Sequence, residues 1–446
     1  MNLDISRIIL KKKKASTGIQ IGHNKITAGS PIEVMPLPEK IILSMQQNIG
    51  AACLPTVKRG DKVLAGQKIG DFDGFVKSPV HASISGEVTS LISLVNPPTG
   101  QPVGAVIITS DGEDNHVEVE PPKDLDSLSN AEILEKIGEN GLVGLGGATF
   151  PTRVKLSPSA DTRIDTVILN GCECEPWVTS DHRVMLEYGA KVLSGLNIIR
   201  KLLSPENIFI AIEDNKQDAI EHLEGLIQMM GFKGIFHIVP LKSTYPMGGE
   251  KILTEVILGR QVPIGGLPTG VGTIVQNVST ARAIHEAVLE NKPYIEKVVT
   301  VTGMVRNPKN LLVRIGTPIV DLIEYCGGME DTANEVIMGG PMMGISQFDL
   351  DFPVTKGTNC ILVKRGRHIQ EHDCIRCGTC LDICPMHLMP TNYVKYVKAG
   401  LYEECTKEHI EDCFECGCCS YSCPANIPIT QYIKVAKSEI NKRKAR

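Results

Sequence analysis

The stretch CFECGCCSYSCP, residues 413–424, decides how this chain is organised, and CIRCGTCLDICP, residues 374–385, repeats its pattern. In both, a register of four cysteines with gaps of two, two and three residues is followed by a proline. Ten of the fifteen cysteines lie between Cys374 and Cys423. Because the sequence begins without a recognisable export signal, this clustering favours metal ligation over disulfide bonds.

The spacing C-x2-C-x2-C-x3-C-P is the bacterial ferredoxin pattern, and two copies indicate two [4Fe–4S] clusters. Short gaps allow a tight loop to place three thiolates on three irons of one cube. In two-cluster ferredoxins the fourth cysteine serves the other cluster, so this resemblance implies two cross-ligated sets. One set is Cys374, Cys377, Cys380 and Cys423, and the other is Cys413, Cys416, Cys419 and Cys384. Zinc is disfavoured, because it takes a CxxC pair and a second, distant pair.

Two more cysteines of this segment fall outside the ferredoxin register. Cys418 comes one residue before Cys419, and its side chain is expected to point away from the cluster that Cys419 holds. Cys405 lies between the two runs in a stretch of helical pattern, where an ordinary, partly buried thiol is expected. The pattern therefore predicts a largely helical ferredoxin domain.

Clusters carry single electrons, so a second site must connect them to a substrate. GLVGLGGATFPTRVK, residues 141–155, is the first candidate, because glycines let backbone amides approach a ligand and bind phosphate. Three stretches follow it in order: NGCECEPW at 170–177, YPMGGEK at 245–251 and VQNVSTA at 275–281. Their order and type resemble the FMN- and NADH-binding subunit of respiratory complex I.

That resemblance implies an FMN pocket and NADH as substrate, with no catalytic acid, base or nucleophile on the protein. The residues carried over to FMN are Gly144, Gly146, Gly147, Lys155, Asn170, Cys172, Glu173, Tyr245, Gly248, Gln276, Asn277 and Thr280. Phe150 would stack on a nicotinamide, and Glu175 and Glu250 would contact the dinucleotide. The departures from the family pattern are Leu145 for arginine, Cys172 for aspartate, Gly249 for glutamate and Gln276 for asparagine.

Some side chains with metal-binding or catalytic chemistry have no clear partners in the sequence. Cys172 and Cys174 form a C-x-C pair for which a metal is an alternative, although no ordered set of further ligands stands nearby. His81, His182 and His372 belong to no recognisable constellation and are expected to be solvated or structurally satisfied.

The hydrophobic pattern predicts a multidomain α/β chain of four parts. Residues 1–125 contain short strands around GDKVLAGQ and SPVHASISGEV, which resemble the barrel-sandwich hybrid of lipoyl and biotinyl carriers. Lys77 abuts Ser78 instead of standing on a hairpin, so we expect an unmodified scaffold. Residues 126–295 alternate helical and apolar segments, as an α/β domain does. Residues 296–365 resemble the β-grasp module that follows such flavin domains, and residues 366–446 hold the ferredoxin domain and a basic tail.

Charge and hydropathy narrow the class of partner. The formal net charge of −5 gives no general field for polyanions, so nucleic acid is not an expected partner. Apolar runs stop short of the roughly 18 to 20 residues that a spanning helix needs. The basic runs KKKK at 11–14 and NKRKAR at 441–446 are expected to be solvated, with a weak hold on an anionic surface as the alternative.

The order of these four parts, with GGATFPT, NGCECEPWVTSDHRVM and TIVQNV, resembles the C subunit of the Rnf electron transport complex. The resemblance implies a peripheral protein on the cytoplasmic side of the cell membrane, in a complex that couples electron transfer between ferredoxin and NAD+ to Na+ or H+ translocation. The implied partners are its membrane-embedded subunits and its ferredoxin-reactive iron–sulfur subunit. The related A subunit of sodium-pumping NADH:quinone reductase should lack the double cysteine run. A flavin and iron–sulfur cobalamin reductase, and a non-catalytic electron conduit, are the alternatives.

Overall fold

The computed structural model describes residue 15 and residues 17–74, 76–96, 100–121, 123–159, 161–366 and 369–444. The basic run 11–14 and the last two residues of the basic tail lie outside this part of the chain. Within it, no helix combines the length and apolar character needed to cross a membrane.

An N-terminal segment, residues 17–34, precedes the barrel-sandwich strands and contacts the three other domains. Gly18 N donates to Ile383 O in the cysteine segment at 3.2 Å, and Ile19 pairs with Tyr245. Strand β1 (Ile32–Val34) then joins the sheet of the β-grasp module, where it runs parallel to strand 309–314. Although the sequence places this segment in the first domain, its contacts hold the other three together.

Residues 40–110 form two small antiparallel sheets, in the orders β2-β8-β7-β4 and β3-β5-β6. The strands are β2 (Lys40–Ser44), β3 (Leu54–Pro55), β4 (Lys62–Val63), β5 (Lys68–Asp71), β6 (Val80–His81), β7 (Gly86–Asn96) and β8 (Gln101–Ser110). Their inward side chains, among them Ile41 and Val88, pack into one core, as alternating strands of a sandwich do. Lys77 forms an ion pair with Asp71 at 3.1 Å.

Residues 130–289 form a parallel sheet, in the order β11-β10-β9-β12, covered by helices. The elements are α1 (Asn130–Glu139), α2 (Thr152–Lys155), β9 (Thr166–Gly171), α3 (Ser180–Glu187), α4 (Gly189–Leu203), β10 (Asn207–Glu213), α5 (Gln217–Met229), β11 (Phe236–Leu241), α6 (Glu250–Leu258), β12 (Thr273–Asn277) and α7 (Val278–Leu289). The strands are apolar almost throughout because both faces are covered. The chain leaves β9 toward β10, whereas β12 returns on the other side of β9. Ligands bind at such a switch point, outside the carboxyl ends of the strands.

The β-grasp module has the sheet order β1-β14-β13-β17-β15-β16. Its elements are β13 (Glu296–Gly303), β14 (Lys309–Arg314), α8 (Ile319–Tyr325), β15 (Glu335–Met338), β16 (Ile345–Gln347) and β17 (Cys360–Lys364). Helix α8 buries Ile319, Leu322 and Ile323 in the same core as the inward residues of β13 and β14.

The cysteine segment is helical, as predicted. Its helices are α9 (Thr379–Asp382), α10 (Pro390–Lys398), α11 (Tyr402–Lys407), α12 (Cys418–Tyr421) and α13 (Ile429–Lys444). Cys405 has no exposed surface and packs with Tyr393 and Ile433, so it is more deeply buried than expected. The four parts together confirm the multidomain α/β fold class.

Candidate flavin and iron–sulfur sites

The crevice between β9 and β12 brings two predicted site residues together. Asn170 and Asn277 are register partners at the carboxyl ends of these strands. Asn170 donates to Gly248 O at 2.9 Å, while its Oδ1 accepts from Cys172 N at 3.0 Å. Asn277 caps helix α7, its Oδ1 accepting from Thr280 N at 3.2 Å. Each asparagine thus fixes one of the loops that the predicted pocket requires.

The glycine loop closes on itself beside the start of helix α7. Gly144 N donates to Phe150 O at 2.8 Å, and Thr149 N donates to Gly144 O at 3.1 Å. Thr280 anchors the loop to the helix, because its Oγ1 accepts from Leu145 N at 2.9 Å. The predicted residues Gly144, Phe150 and Thr280 therefore belong to one local structure.

The crest of this loop, formed by Gly146 and Gly147, is open to a ligand. Gly146 and Gly147 are exposed, and Gly147 has φ +111° with nothing within 4 Å of the place that a Cβ would take. A Cβ on Gly146 would lie 3.5 Å from Asn277 Cβ. Leu145, where the family has arginine, packs into the hydrophobic core. The crest consequently presents backbone amides without side chains, which suits a phosphate.

Lys25 of the N-terminal segment holds the loop that follows β9. Its Nζ donates to the carbonyls of Glu173 at 2.7 Å, Glu175 at 2.8 Å and Val178 at 2.5 Å. Burial lowers the pKa of Lys25, and the neighbouring Glu173 opposes that shift. Sequence reasoning missed this residue, because nothing around Lys25 points to a partner 150 positions further along.

The carboxylate of Glu173 faces the start of helix α3. Its Oε1 accepts from Asp181 N at 2.7 Å and from Ser180 Oγ at 3.3 Å. Its Oε2 lies 3.9 Å from Lys25 Nζ and accepts no hydrogen bond within the described part of the chain. Asp181 accepts from Asn277 Nδ2 at 2.7 Å, and burial, followed by the charge of Glu173, raises the pKa of Asp181 to about 6. Asp181 is a second residue that the sequence analysis missed.

Glu175 is directed toward the β-grasp module. Its Oε1 accepts from Met343 N at 2.8 Å and its Oε2 from Met342 N at 3.1 Å. Burial raises the pKa of this carboxyl group to about 7. Glu175 therefore joins two domains, and its contact with a dinucleotide stays a prediction.

The loop before helix α6 packs against the 172–174 loop. A Cβ on Gly248 would lie 2.7 Å from Cys172 O and 3.4 Å from Cys174 Sγ, so glycine is required here. Tyr245 is 2% exposed, and its hydroxyl donates to Cys416 O at 2.7 Å. A residue assigned to the flavin pocket thus reaches the cysteine segment.

Lys155 and Glu250, assigned to FMN and to the dinucleotide, form an ion pair with Nζ 2.5 Å from Oε1. The pair links the end of the glycine loop to the first residue of helix α6, at a partly exposed edge. Both charges remain accessible to a ligand that approaches this edge.

The donors and acceptors at the crevice fit FMN. Among the residues that the structure describes, the buried Nε2 of Gln276 and the buried Oε2 of Glu173 have no hydrogen-bond partner. A flavin carries ring acceptors, a ring donor and a phosphate. One unpaired donor, one unpaired acceptor and an open amide crest match these three kinds of group.

A cavity of about 380 Å³, counting the space at its open mouth, lies inside the cysteine segment. The cysteines that line it are Cys384, Cys413, Cys416, Cys418 and Cys419. Leu388 N donates to Cys384 Sγ at 3.4 Å, and Glu415 N donates to Cys413 Sγ at 3.4 Å. Burial raises the pKa of Cys413 to about 12, and the neighbouring Cys416 and Cys384 add to the rise. Four of these five, Cys384, Cys413, Cys416 and Cys419, are the cysteines that the ferredoxin resemblance assigns to one cluster, and we call these four the buried set.

The other four cysteines, Cys374, Cys377, Cys380 and Cys423, form the exposed set. Cys374 and Cys377 are solvent-exposed, and the other two are half-buried. Burial raises the pKa of Cys380, and the charges of Cys377, Cys423 and Cys374 add to it. Cys423 is therefore close to the first run, although it belongs to the second.

Single metal ions have no ready site in the part of the chain that the structure describes. No group of three or more histidine, cysteine, aspartate or glutamate side chains there is placed to hold one ion. Cys172 is buried and Cys174 is half-buried, and the loss of solvent raises the pKa of both thiols, that of Cys174 to about 12. His182 contacts Asp218 at 2.9 Å, and burial lowers the pKa of His81 to about 3.

Cys418 lies beside the buried set. It is 1% exposed, lines the same cavity, and interacts with the sulfur of Cys416, which raises the pKa of Cys416. Cys418 packs with Tyr245 and Cys416, and its direction relative to a cluster held by Cys419 stays a prediction.

Three family models match successive parts of the chain. The "RnfC Barrel sandwich hybrid domain" covers residues 13–113, the "Nuo51 FMN-binding domain" residues 137–286 and the "SLBB domain" residues 298–346. The second match confirms the prediction of a complex-I-type flavin domain.

Curated relatives match most of the chain. The C subunit of the proton-translocating ferredoxin:NAD(+) oxidoreductase complex of Clostridium ljungdahlii is 45% identical over 86% of this chain and 84% of its own length. The chain belongs to the RnfC family. The C subunit of the Na(+)-translocating ferredoxin:NAD(+) oxidoreductase complex of Acetobacterium woodii is 41% identical over 85% of this chain and 86% of its own. These names favour the RnfC family over a cobalamin reductase.

A solved structure supports the fold of this RnfC family member. A chain of an NAD+-reducing [NiFe]-hydrogenase in the H2-reduced state superposes with a TM-score of 0.51 at 19% identity, covering 71% of this chain and 65% of that one. At that identity the likeness concerns the fold alone.

Proposed function

We propose that the chain is the NADH-reactive flavoprotein and iron–sulfur subunit of a membrane-bound complex that transfers electrons between ferredoxin and NAD+ and translocates Na+ or H+. The names of the relatives from Clostridium ljungdahlii and Acetobacterium woodii support this role. The observation that carries it is the contact between the two sites. The Tyr245 hydroxyl bonds to Cys416 O at 2.7 Å, so the flavin-type domain adjoins the buried set directly.

Two cofactor types divide the proposed chemistry. The clusters transfer single electrons only. Bound FMN would connect them to NADH, because a flavin accepts a hydride and can pass on its two electrons one at a time. The chain itself binds and orients. The glycine crest and the first turn of helix α7 would hold the phosphate of FMN. Asn170 and Asn277 hold the loops on either side of the crevice.

The two cysteine sets differ in what can reach them. The buried set adjoins the flavin-type domain through Tyr245, and also through Phe414, which lies 3.5 Å from a Cβ position on Gly249. Close in sequence to the exposed set are three apolar side chains that leave more than half of their surface in solvent: Ile369, Ile375 and Tyr421. A partner protein would therefore meet the exposed set, and this face would dock the next iron–sulfur subunit.

A peripheral position on the cytoplasmic face of the membrane follows from the same role. NADH and ferredoxin are cytoplasmic substrates, and the membrane-embedded partner subunits would supply the attachment. The described part of the chain offers no spanning helix of its own.

The test uses the full chain, reconstituted without oxygen with FMN, iron and sulfide. NADH should bleach the long-wavelength flavin absorbance, and a paramagnetic signal of reduced clusters should follow. In Cys413→Ala the flavin should still bleach, while the signal of the buried cluster disappears. Flavin-loaded protein that stays oxidised in excess NADH would contradict the proposal. Faster electron delivery to a cob(III)alamin than to a ferredoxin-type acceptor would favour the reductase alternative instead.

A further inference from the structure

We propose that loop 355–359 of the β-grasp module is a positioning element for the glycine loop, with Lys356 and Asn359 as its positioning residues. The inference rests on the proposed function and extends it to another domain. Both residues lie outside the stretch 137–286 that matches the FMN-binding family model.

Lys356 is fully buried and bonds to the start of the glycine loop. Its Nζ donates to Gly141 O at 2.7 Å, to Pro79 O at 2.7 Å and to Ser78 Oγ at 3.0 Å. Ser78 Oγ also donates to Gly141 O at 2.8 Å. Burial lowers the pKa of Lys356 to about 7, and three oxygen acceptors match the three N–H groups of its ammonium form. One side chain of the β-grasp module thus bonds both to the barrel-sandwich domain and to Gly141, the residue at which the glycine loop begins.

Asn359 bonds to the same loop four residues further along the chain. Its Nδ2 donates to Leu145 O at 3.0 Å, and its Oδ1 accepts from Lys297 Nζ at 3.0 Å. Lys297 also donates to Lys356 O at 2.7 Å, so one buried ammonium fixes both ends of the element. The N–H of Leu145 bonds to Thr280, so Asn359 and helix α7 hold the two backbone polar groups of one residue.

Gly357 lets the element lie directly under the crest. A Cβ at this position would stand 2.8 Å from Thr149 Cγ2 and 3.6 Å from Gly147 O. From the barrel-sandwich domain, Ile49 N donates to Thr149 O at 3.1 Å. The loop is therefore supported along its length by contacts from two other domains, and its crest is left open.

These contacts point to cofactor binding rather than to domain packing alone. Within loop 144–150, all of it described by the structure, two backbone bonds join the loop to itself, Gly144 to Phe150 and Thr149 to Gly144. A loop rich in glycine loses much conformational freedom when it binds a ligand, and external anchors remove that cost beforehand. Lys356 and Asn359 should therefore set the affinity for FMN without touching it.

The experiment titrates the full-length apoprotein with FMN and follows the fluorescence of the flavin. Asn359→Asp keeps the acceptor for Lys297 and removes the donor to Leu145, while Lys356→Met keeps the length of the side chain and removes all three donors. Asn359→Asp should raise the dissociation constant for FMN about five- to tenfold, the effect of losing one positioning hydrogen bond. Lys356→Met loses three donors and should raise it at least about tenfold. Amide exchange at Gly144 and Thr149 in the apoprotein should accelerate in both.

Asn310→Ala is the matched control. Asn310 is a fully buried asparagine of the same module. It donates to Thr27 O and Ser30 O and accepts from Thr179 Oγ1 and Thr300 Oγ1, and none of these four residues belongs to the glycine loop. It should lower stability yet leave the FMN constant within about twofold of wild type. Folded Asn359→Asp protein with wild-type affinity and exchange overturns the inference, as does an equal loss in Asn310→Ala. Wild-type protein that binds no FMN overturns the proposed function as well.

Discussion

Tyr245 and Cys416, 171 residues apart in sequence, are joined by a 2.7 Å hydrogen bond from the tyrosine hydroxyl to the cysteine carbonyl. Ile19 of the N-terminal segment pairs with Tyr245 on its backbone side. The distance along the chain between the flavin loops and the buried cysteines is therefore closed by the fold itself, without any movement of the cysteine segment.

Tyr245→Phe should weaken this junction. Removing the hydroxyl leaves the buried carbonyl of Cys416 without its donor, at a cost of about 1 to 2 kcal/mol in the free energy of unfolding. FMN should still bind, but cluster reduction after mixing with NADH should slow in stopped-flow measurements. Tyr396→Phe, which removes a 2.8 Å bond to Glu408 inside the cysteine segment, is the control and should leave that rate unchanged.

Cys384→Ala should remove the cluster of the other run. Cys384 lines the cavity with Cys413, Cys416 and Cys419, so its loss should abolish the buried cluster and leave the exposed one. Iron content should fall by about half, and paramagnetic resonance should show one remaining species. Cys405→Ala, at a buried cysteine outside the cavity lining, should keep the full iron content. Loss of only the exposed cluster in Cys384→Ala would refute cross-ligation.

Lys25→Met should loosen the loop after β9. The carbonyls of Glu173, Glu175 and Val178 would lose their common donor, and the expected loss of stability is about 3 kcal/mol. Denaturant unfolding measures it directly. The exposed Lys62→Met should change stability by no more than about 0.5 kcal/mol. Equal effects at the two lysines would show that the three carbonyl contacts contribute nothing.

Local spacing predicts which cysteines belong to each set, because a cluster loop needs gaps of two and three residues, and the ligand role of each cysteine stays a prediction. The glycine loop and the three stretches that follow it are likewise visible in the sequence as continuous motifs. The surroundings of Cys418 depend on Tyr245, which belongs to another domain, so local spacing cannot give them.

Long-range contacts account for what sequence reasoning missed. Lys25, Asp181, Lys356 and Asn359 carry no motif, and each acts through a partner that only the fold brings near. A buried lysine that bonds to backbone carbonyls can accept any sequence at its partner positions. Pattern reading therefore has no signal to detect it.

Glu175 should make stability depend on pH in an unusual direction. Burial raises its pKa from 4.5 to about 7, so the folded protein retains a proton that the unfolded chain releases in this window. The unfolded state then binds fewer protons, and stability contributed by Glu175 falls as pH rises through the window. The stability of wild type relative to Glu175→Gln should therefore decrease from acid to neutral pH in denaturant titrations. A difference that rises with pH would contradict this assignment.

Gly248→Ala should damage the pocket, although alanine usually stabilises a chain relative to glycine. The added methyl would stand 2.7 Å from Cys172 O, and a backbone atom cannot give way as a flexible side chain can. We expect a loss of about 2 to 3 kcal/mol in stability, accompanied by weaker retention of FMN on gel filtration.

Gly225→Ala is the matched control, because Gly225 lies within helix α5 and no described atom stands within 4 Å of its Cβ position. It should gain up to about 1 kcal/mol and retain FMN like wild type. If both alanines were tolerated equally, the close approach of the 245–248 and 172–174 loops would not be needed for binding.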